Sequence, residues 1–115
     1  MTPAELCEAS ESIYDVLAPI RRKAGLYIGD PELTRLHAFV VGYQCGLARG
    51  GFKLRLEDPE FHGFHDWVAQ QLGYAESTSG WHKMIRGRCK DEREAFVRFW
   101  ELLDEFRSAS HKCRG

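Results

Sequence analysis

Residues 91–106, DEREAFVRFWELLDEF, carry the clearest structural signal in the chain. Apolar side chains recur there at the three- and four-residue spacing of a helix that buries one face, and acidic residues occupy many of the other positions. Asp91 followed by Glu94 resembles a capping box, which satisfies free amides at a helix N-terminus. We therefore predict an amphipathic helix with an aromatic stripe, formed by Phe96, Phe99, Trp100, Leu103 and Phe106.

The same spacing predicts four further helices upstream. The first carries Ile13, Val16, Leu17 and Ile20, and we expect Pro19 to break or restart it because proline lacks a backbone donor. Aspartate followed by proline starts the next two, since the carboxylate caps free amides and proline suits the first helical turn. Their starts are Asp30-Pro31 and Asp58-Pro59; Ser77, Thr78 and Ser79 offer caps for a shorter fourth helix, and the expected stops are Gly25, Gly50, Gly73 and Gly87.

Two details concern the space between elements. Gly42 and Gly46 lie four residues apart on one helix face, and we expect them to admit the close approach of another helix, because glycine in a helix otherwise costs about 1 kcal/mol against alanine. Residues 26–28 and 52–56 are the candidates for β structure, and they could form at most a two-stranded ribbon.

The predicted fold class is therefore mainly α: a compact single domain of five helices around one aromatic core. It spans residues 1–115, and we expect the polar ends, 1–9 and 108–115, to fray. A chain of this length buries about two thirds of the surface that its unfolded form exposes, which is enough for one core.

Composition excludes several function classes. Sixteen basic and seventeen acidic residues give a net charge of −1, which argues against a nucleic-acid binder that neutralises many phosphates. No stretch is apolar enough to span a membrane, and the first twenty residues lack the order of a secretory signal, so we expect a cytoplasmic protein. The sequence leaves open whether it is a monomer or a homodimer. The cysteines are expected to be free thiols, with two disulfides as the alternative: Cys7, Cys45, Cys89 and Cys113.

Catalytic motifs are missing from the sequence. There is no nucleophile elbow, no phosphate-binding glycine loop and no local pairing of a cysteine with a histidine, so we predict neither an enzyme nor a cofactor. His62 and His65 lie three residues apart on one predicted helix, with Asp66 beside them, and a metal site there is the alternative to surface or core-edge histidines.

Charge is segregated along the last two helices. The fourth helix and its exit are basic and the last helix is acidic, which is typical of solvated faces but also fits binding of an oppositely charged partner. Trp81 follows Ser79-Gly80 at a helix start, where a side chain can be partly uncovered, and tryptophan is enriched at interface hot spots. The predicted partner-binding residues are Trp81, Arg22, Tyr27, Glu101, Asp104 and Glu105.

Two resemblances to known families bear on function. Residues 20–30, IRRKAGLYIGD, resemble a segment near the start of the ATPase domain of DNA gyrase B subunits, but the following helix lacks the glutamate and asparagine of that family, so no ATPase is predicted. A YIG start (27–29) followed by LHAFVVGY (36–43), FHDWV (64–68), GW (80–81) and FWELLDEF (99–106) is similar to the order in small bacterial proteins, some of which resemble immunity proteins that accompany secreted toxins. That resemblance implies binding and blocking of a cognate toxin.

The sequence thus predicts a non-enzymatic bacterial protein-interaction module with a protein partner and no cofactor. The resemblance narrows this prediction to an immunity-like protein. The alternative is a small-ligand-binding protein or unrecognised enzyme, with a pocket between helices near Tyr27, Trp81 and Arg22.

Overall fold

The computed structural model describes residues 12–50, 61–74 and 80–114, which form six α-helices and one turn of 3-10 helix. The helices are α1 (Ile13–Arg22), α2 (Ala24–Tyr27), α3 (Leu33–Arg49), α4 (Phe64–Leu72), α5 (Gly80–Gly87) and α6 (Glu92–Arg114), and the 3-10 turn, Phe61–Gly63, leads into α4. The predicted mainly α class is confirmed. None of these helices is both long and apolar enough to cross a membrane.

The β-ribbon prediction is wrong for its first half. Leu26 and Tyr27 lie in the single turn of α2, closed by the Ile28 N–H donating to the Ala24 carbonyl at 2.9 Å. A helical turn meets these backbone groups locally, so they have no need of a partner strand. Residues 52–56, like the expected start at Asp58-Pro59 and the caps at 77–79, lie outside the described residues.

Helix α1 continues through Pro19, contrary to the predicted break. Proline removes only one backbone donor, and burial of Leu17 and Ile20 on either side of it holds the helix against the core. The helix also starts firmly, because the Ser12 hydroxyl accepts from the Asp15 N–H and the Asp15 carboxylate accepts from the Ser12 N–H.

Helix α3 begins at Leu33, later than the predicted start at Asp30-Pro31, and no side chain of its own N-cap residue bonds its free amides. The nearby carboxylates form ion pairs with Arg35 instead: the guanidinium lies 2.6 Å from Glu32 and 3.8 Å from Asp30. The same side chain lies against Gly29, whose φ of +88° turns the chain between α2 and α3.

The second half of α3 departs from the predicted packing. Leu33, Leu36 and Val40 are buried, but Tyr43 and Leu47, the apolar residues at helical spacing further along, are only half-buried. A Cβ built at Gly42 or Gly46 would meet no described residue outside the helix within 4 Å. The predicted close approach of another helix at these glycines is therefore not seen among the described residues. The second half of α3 extends past the described helices that cover its first half.

Helix α6 confirms its predicted start and exceeds its predicted length. The Asp91 carboxylate accepts from the Glu94 N–H at 2.8 Å, and the Glu94 carboxylate accepts from the Lys90 N–H at 2.7 Å. The backbone stays helical to Arg114, six residues past Ser108, where fraying was predicted to begin. Once a helix is formed, extension is inexpensive, and no glycine or proline interrupts residues 92–114.

Phe64, the first residue of α4, lies at the centre of the core and is fully buried. Its ring contacts five other aromatic rings at centroid distances of 5.4–6.3 Å: Phe61, Trp67, Trp81, Phe99 and Phe106. Most of these contacts are edge-to-face, the favoured geometry for aromatic pairs. The cluster joins the 3-10 turn, α4, α5 and α6.

Phe64→Ala should destabilise the protein by about 3–5 kcal/mol, because it removes a buried ring and leaves a cavity among the other rings. Urea unfolding followed by circular dichroism would show this as a lower midpoint. Tyr27→Ala removes an aromatic ring that is 48% exposed and should change stability by less than about 0.5 kcal/mol. Equal effects of the two substitutions would contradict the central position of Phe64.

Candidate functional site

The structure divides the six predicted partner-binding residues among different surfaces. Trp81 is half-buried, with its ring 5.0 Å from Phe99 and 5.2 Å from His37, so most of its contacts are internal. Tyr27 is exposed on α2. Arg22 and Asp104 lie together in a groove between α1 and α6. None of the three grooves described here is lined by both Trp81 and Arg22, as the small-ligand alternative requires.

Glu101 and Glu105 belong to what we call the outer face of α6. This face consists of five exposed residues that follow one another at helical spacing: Glu94, Val97, Glu101, Glu105 and Ser108. At 1.5 Å per residue it extends over about 20 Å. Val97 is 58% exposed, whereas the neighbouring apolar residues Phe96 and Phe99 are buried. The outer face is therefore acidic, with one apolar side chain in its first half.

Two grooves flank the outer face. The first, which we call the α5–α6 groove, has a volume of about 460 Å³ and reaches from Glu94 to Glu101. Leu72 and Ile85 give it apolar walls, and charged residues from α6 and the end of α5 form its rim; these are Arg88, Glu94, Arg98 and Glu101. The second groove, about 330 Å³, lies between α4 and α6 beside Trp67, Gln71 and Glu105.

The α5–α6 groove also contains the half-buried thiol of Cys89. Burial, and secondarily the Glu94 carboxylate, raises the pKa of this thiol, so the less nucleophilic neutral form is favoured. Cys45 is exposed on α3, and both are free thiols as predicted. The Cys89 thiol therefore lacks the lowered pKa that activates a cysteine nucleophile.

A polar junction that sequence analysis missed connects α3, α5 and α6. Glu92 at the start of α6 accepts from the Thr34 N–H and the Thr34 hydroxyl, both at 2.8 Å, and from Arg86 Nε at 2.9 Å. Glu92 thereby caps α3 across 58 positions of sequence. Arg86 is part of the basic helix and Glu92 of the acidic one, so the two segregated charge groups partly neutralise each other within the molecule.

Two histidines complete this junction. His82 Nε2 lies 3.0 Å from the Thr34 hydroxyl, and the His37 and His82 rings are stacked with centroids 4.4 Å apart. A hydroxyl has one proton, which Thr34 gives to Glu92, so His82 Nε2 is the donor to Thr34. His82 therefore does not act as a base toward Thr34. The hydrogen bonds from His82 to Thr34 and from Thr34 to Glu92 connect α5, α3 and α6, and they do not form the pair of a nucleophile and its base.

Burial shifts the titration of the junction. It lowers the pKa of His37, with the His82 ring adding to the effect, and it lowers the pKa of His82, an effect that Glu92 opposes and Lys83 reinforces. Burial would raise the pKa of Glu92, but the hydrogen bonds from Thr34 and the pairing with Arg86 outweigh it and hold that pKa below its ordinary value.

The metal-site alternative stays a prediction. Among the described residues no three histidine, cysteine, aspartate or glutamate side chains lie close enough to hold a metal ion. His65 is half-buried on α4, but the side chain of His62 lies outside the described residues.

Stability should fall as the pH drops below about 6.5. The native state keeps His37 and His82 neutral at a pH where the unfolded chain protonates them. The unfolded state therefore binds more protons, and its free energy falls relative to that of the native state as the pH drops. Thermal unfolding at pH 7.5 and 5.5 measures this loss. In the His37→Gln/His82→Gln double variant, which keeps a donor for Thr34, the loss should shrink; an unchanged loss would contradict the assignment.

Comparison of the chain with models of protein families, with curated proteins and with solved structures gives no match. The likeness of residues 20–30 to gyrase B subunits and the broader likeness to immunity proteins stay predictions.

Proposed function

We propose that this protein binds a protein partner through the outer face of α6 and the α5–α6 groove. The observation that carries this proposal is Val97, an apolar side chain 58% exposed in the middle of a charged rim, beside a groove with the apolar walls of Leu72 and Ile85. Protein interfaces commonly have this anatomy, with an apolar centre and a polar rim.

The charge of the outer face of α6 indicates what kind of protein would bind there. Glu94, Glu101 and Glu105 make the outer face acidic, and only Glu101 has a cation paired with it among the described residues, Arg98 at 3.3 Å. A basic surface complements this face, speeds encounter and disfavours acidic partners. A symmetric homodimer through the same face would place like charges against each other, so the proposed partner is a different, basic protein.

The narrower proposal is that the partner is a toxin and that binding blocks it. Its support is the resemblance of residues 36–43, 64–68, 80–81 and 99–106 to immunity-like bacterial proteins. Inhibition by surface coverage needs no reactive group of the inhibitor. A small ligand in the α5–α6 groove is the second candidate, because about 460 Å³ is within the usual range of ligand pockets.

A photo-crosslinking amino acid placed at position 97 should capture the partner in cells that also express the genes next to the gene for this protein. The same amino acid placed at position 41 should not capture it. Val41 is a matched control, since it is an exposed valine on a helix, 43% exposed on α3. With the captured protein purified, Val97→Asp should weaken binding measured by calorimetry at least tenfold, or about 1.4 kcal/mol, because it places a charge at the apolar centre.

Val41→Asp should leave the affinity unchanged. Equal weakening by the two substitutions, or equal capture from both positions, would contradict the assignment to α6. Inhibition of a toxic activity of the captured protein would support the immunity-like version. A small molecule that stays bound through purification and protects Cys89 from a thiol reagent would favour the second candidate.

A further inference from the structure

The groove between α1 and α6, which we call the α1–α6 groove, has an aromatic floor and a basic rim. Tyr14, Leu17, Trp100 and Leu103 are buried residues that line its base, and the volume is about 150 Å³. Its charged lining residues are Arg21, Arg22, Asp104 and Arg107. Three cations and one anion thus face a groove on a chain whose net charge is −1.

Hydrogen-bond donors in this groove exceed acceptors. Asp104 is occupied by Arg21, which donates to both of its carboxylate oxygens at 2.9 and 2.8 Å. Arg22 has no hydrogen bond or ion pair with a described residue, and the buried Trp100 Nε1–H has no acceptor among them. A buried donor without an acceptor is unfavourable, so an added acceptor would be stabilising.

Two of the arginines are held in place by aromatic rings. The Arg107 guanidinium lies 4.1 Å from the centre of the Tyr14 ring, and the Arg21 guanidinium lies 5.4 Å from that of Trp100. Stacking leaves the edge of a guanidinium, with its N–H groups, available to a planar or tetrahedral oxyanion. Less side-chain entropy is then lost on binding.

An ordinary structural role accounts for part of this charge. Arg21 and Arg22 lie in the last turn of α1, where cations interact favourably with the helix dipole. That role does not extend to Arg107, which belongs to α6, or to the orphaned indole donor of Trp100. Arg22 and Arg107 are exposed, so water meets their N–H groups when no anion is bound, and an anion that displaces this water would pair with two positive charges.

We propose that the α1–α6 groove binds one small oxyanion, a carboxylate or phosphate group, between Arg22 and Arg107. The oxyanion accepts hydrogen bonds from the two guanidinium groups, and the groove volume of about 150 Å³ accommodates one such group. The site lies on another face of α6 from the proposed protein-binding surface, and it holds whether or not that surface binds a partner.

The test is an NMR titration of the full chain with sodium phosphate and, separately, with sodium acetate, at fixed pH and with sodium chloride keeping the ionic strength constant. The Trp100 indole N–H and the Arg22 and Arg107 side-chain N–H signals should shift and saturate. Tighter saturation by phosphate assigns a phosphoryl group as the ligand, and tighter saturation by acetate assigns a carboxylate.

Arg22→Gln and Arg107→Gln should each weaken binding about tenfold, because each removes a charged donor. Asp104→Asn should strengthen it, since it removes the carboxylate of the groove. Arg93→Gln is the matched control: it removes an exposed arginine of α6 that lines neither this groove nor the α5–α6 groove, and it should leave the affinity unchanged. Circular dichroism checks that each variant is folded.

Shifts that rise linearly with anion concentration, or equal affinities of the wild type and the folded Arg22→Gln and Arg107→Gln variants, would overturn the proposal. Weaker binding by folded Asp104→Asn would overturn the charge argument on which it depends.

Discussion

The packing of aromatic rings around Phe64 is the constraint on which the rest of the structure depends. Phe64 is the first residue of α4, yet its ring contacts the 3-10 turn before it, Trp81 of α5, and both Phe99 and Phe106 of α6. Because Phe99 and Phe106 lie two turns apart, this cluster fixes which side of α6 is buried. The acidic residues and Val97 are thereby turned to solvent, and the surface proposed to bind a partner is the complement of the core.

A second, polar connection determines how α3 joins this unit. The Glu92 carboxylate accepts hydrogen bonds from Thr34 at the start of α3 and from Arg86 of α5. The stacked His37 and His82 rings lie over the same junction. Three helices thus meet at one carboxylate, and the basic and acidic helices use part of their opposite charge on each other rather than on a partner.

The sequence predicted what depends on local periodicity and failed where a distant residue decides. The aromatic stripe from Phe96 to Phe106 and the bond between Asp91 and Glu94 follow from spacing within one helix. No local sequence pattern indicates that Glu92 caps α3, so the sequence predicts the start of this helix at Asp30-Pro31 and not at Leu33. The contacts of the Trp81 ring with Phe61, Phe64 and Phe99 likewise depend on distant residues, and its role as a partner-binding residue stays a prediction. The position of Arg22 and Asp104 in the lining of one groove likewise depends on how α1 crosses α6.

Native-state hydrogen exchange tests most directly whether the aromatic cluster makes α4, α5 and α6 one cooperative unit. The slowest amides of α4, of α5 and of residues 95–106 should exchange with one common free energy, equal to that of global unfolding. Amides of residues 41–49 in α3, where no buried side chain anchors the helix, should exchange through local opening. If instead α5 opened separately, at a free energy more than about 2 kcal/mol below that of α6, the proposed role of Phe64 and Trp81 would be contradicted.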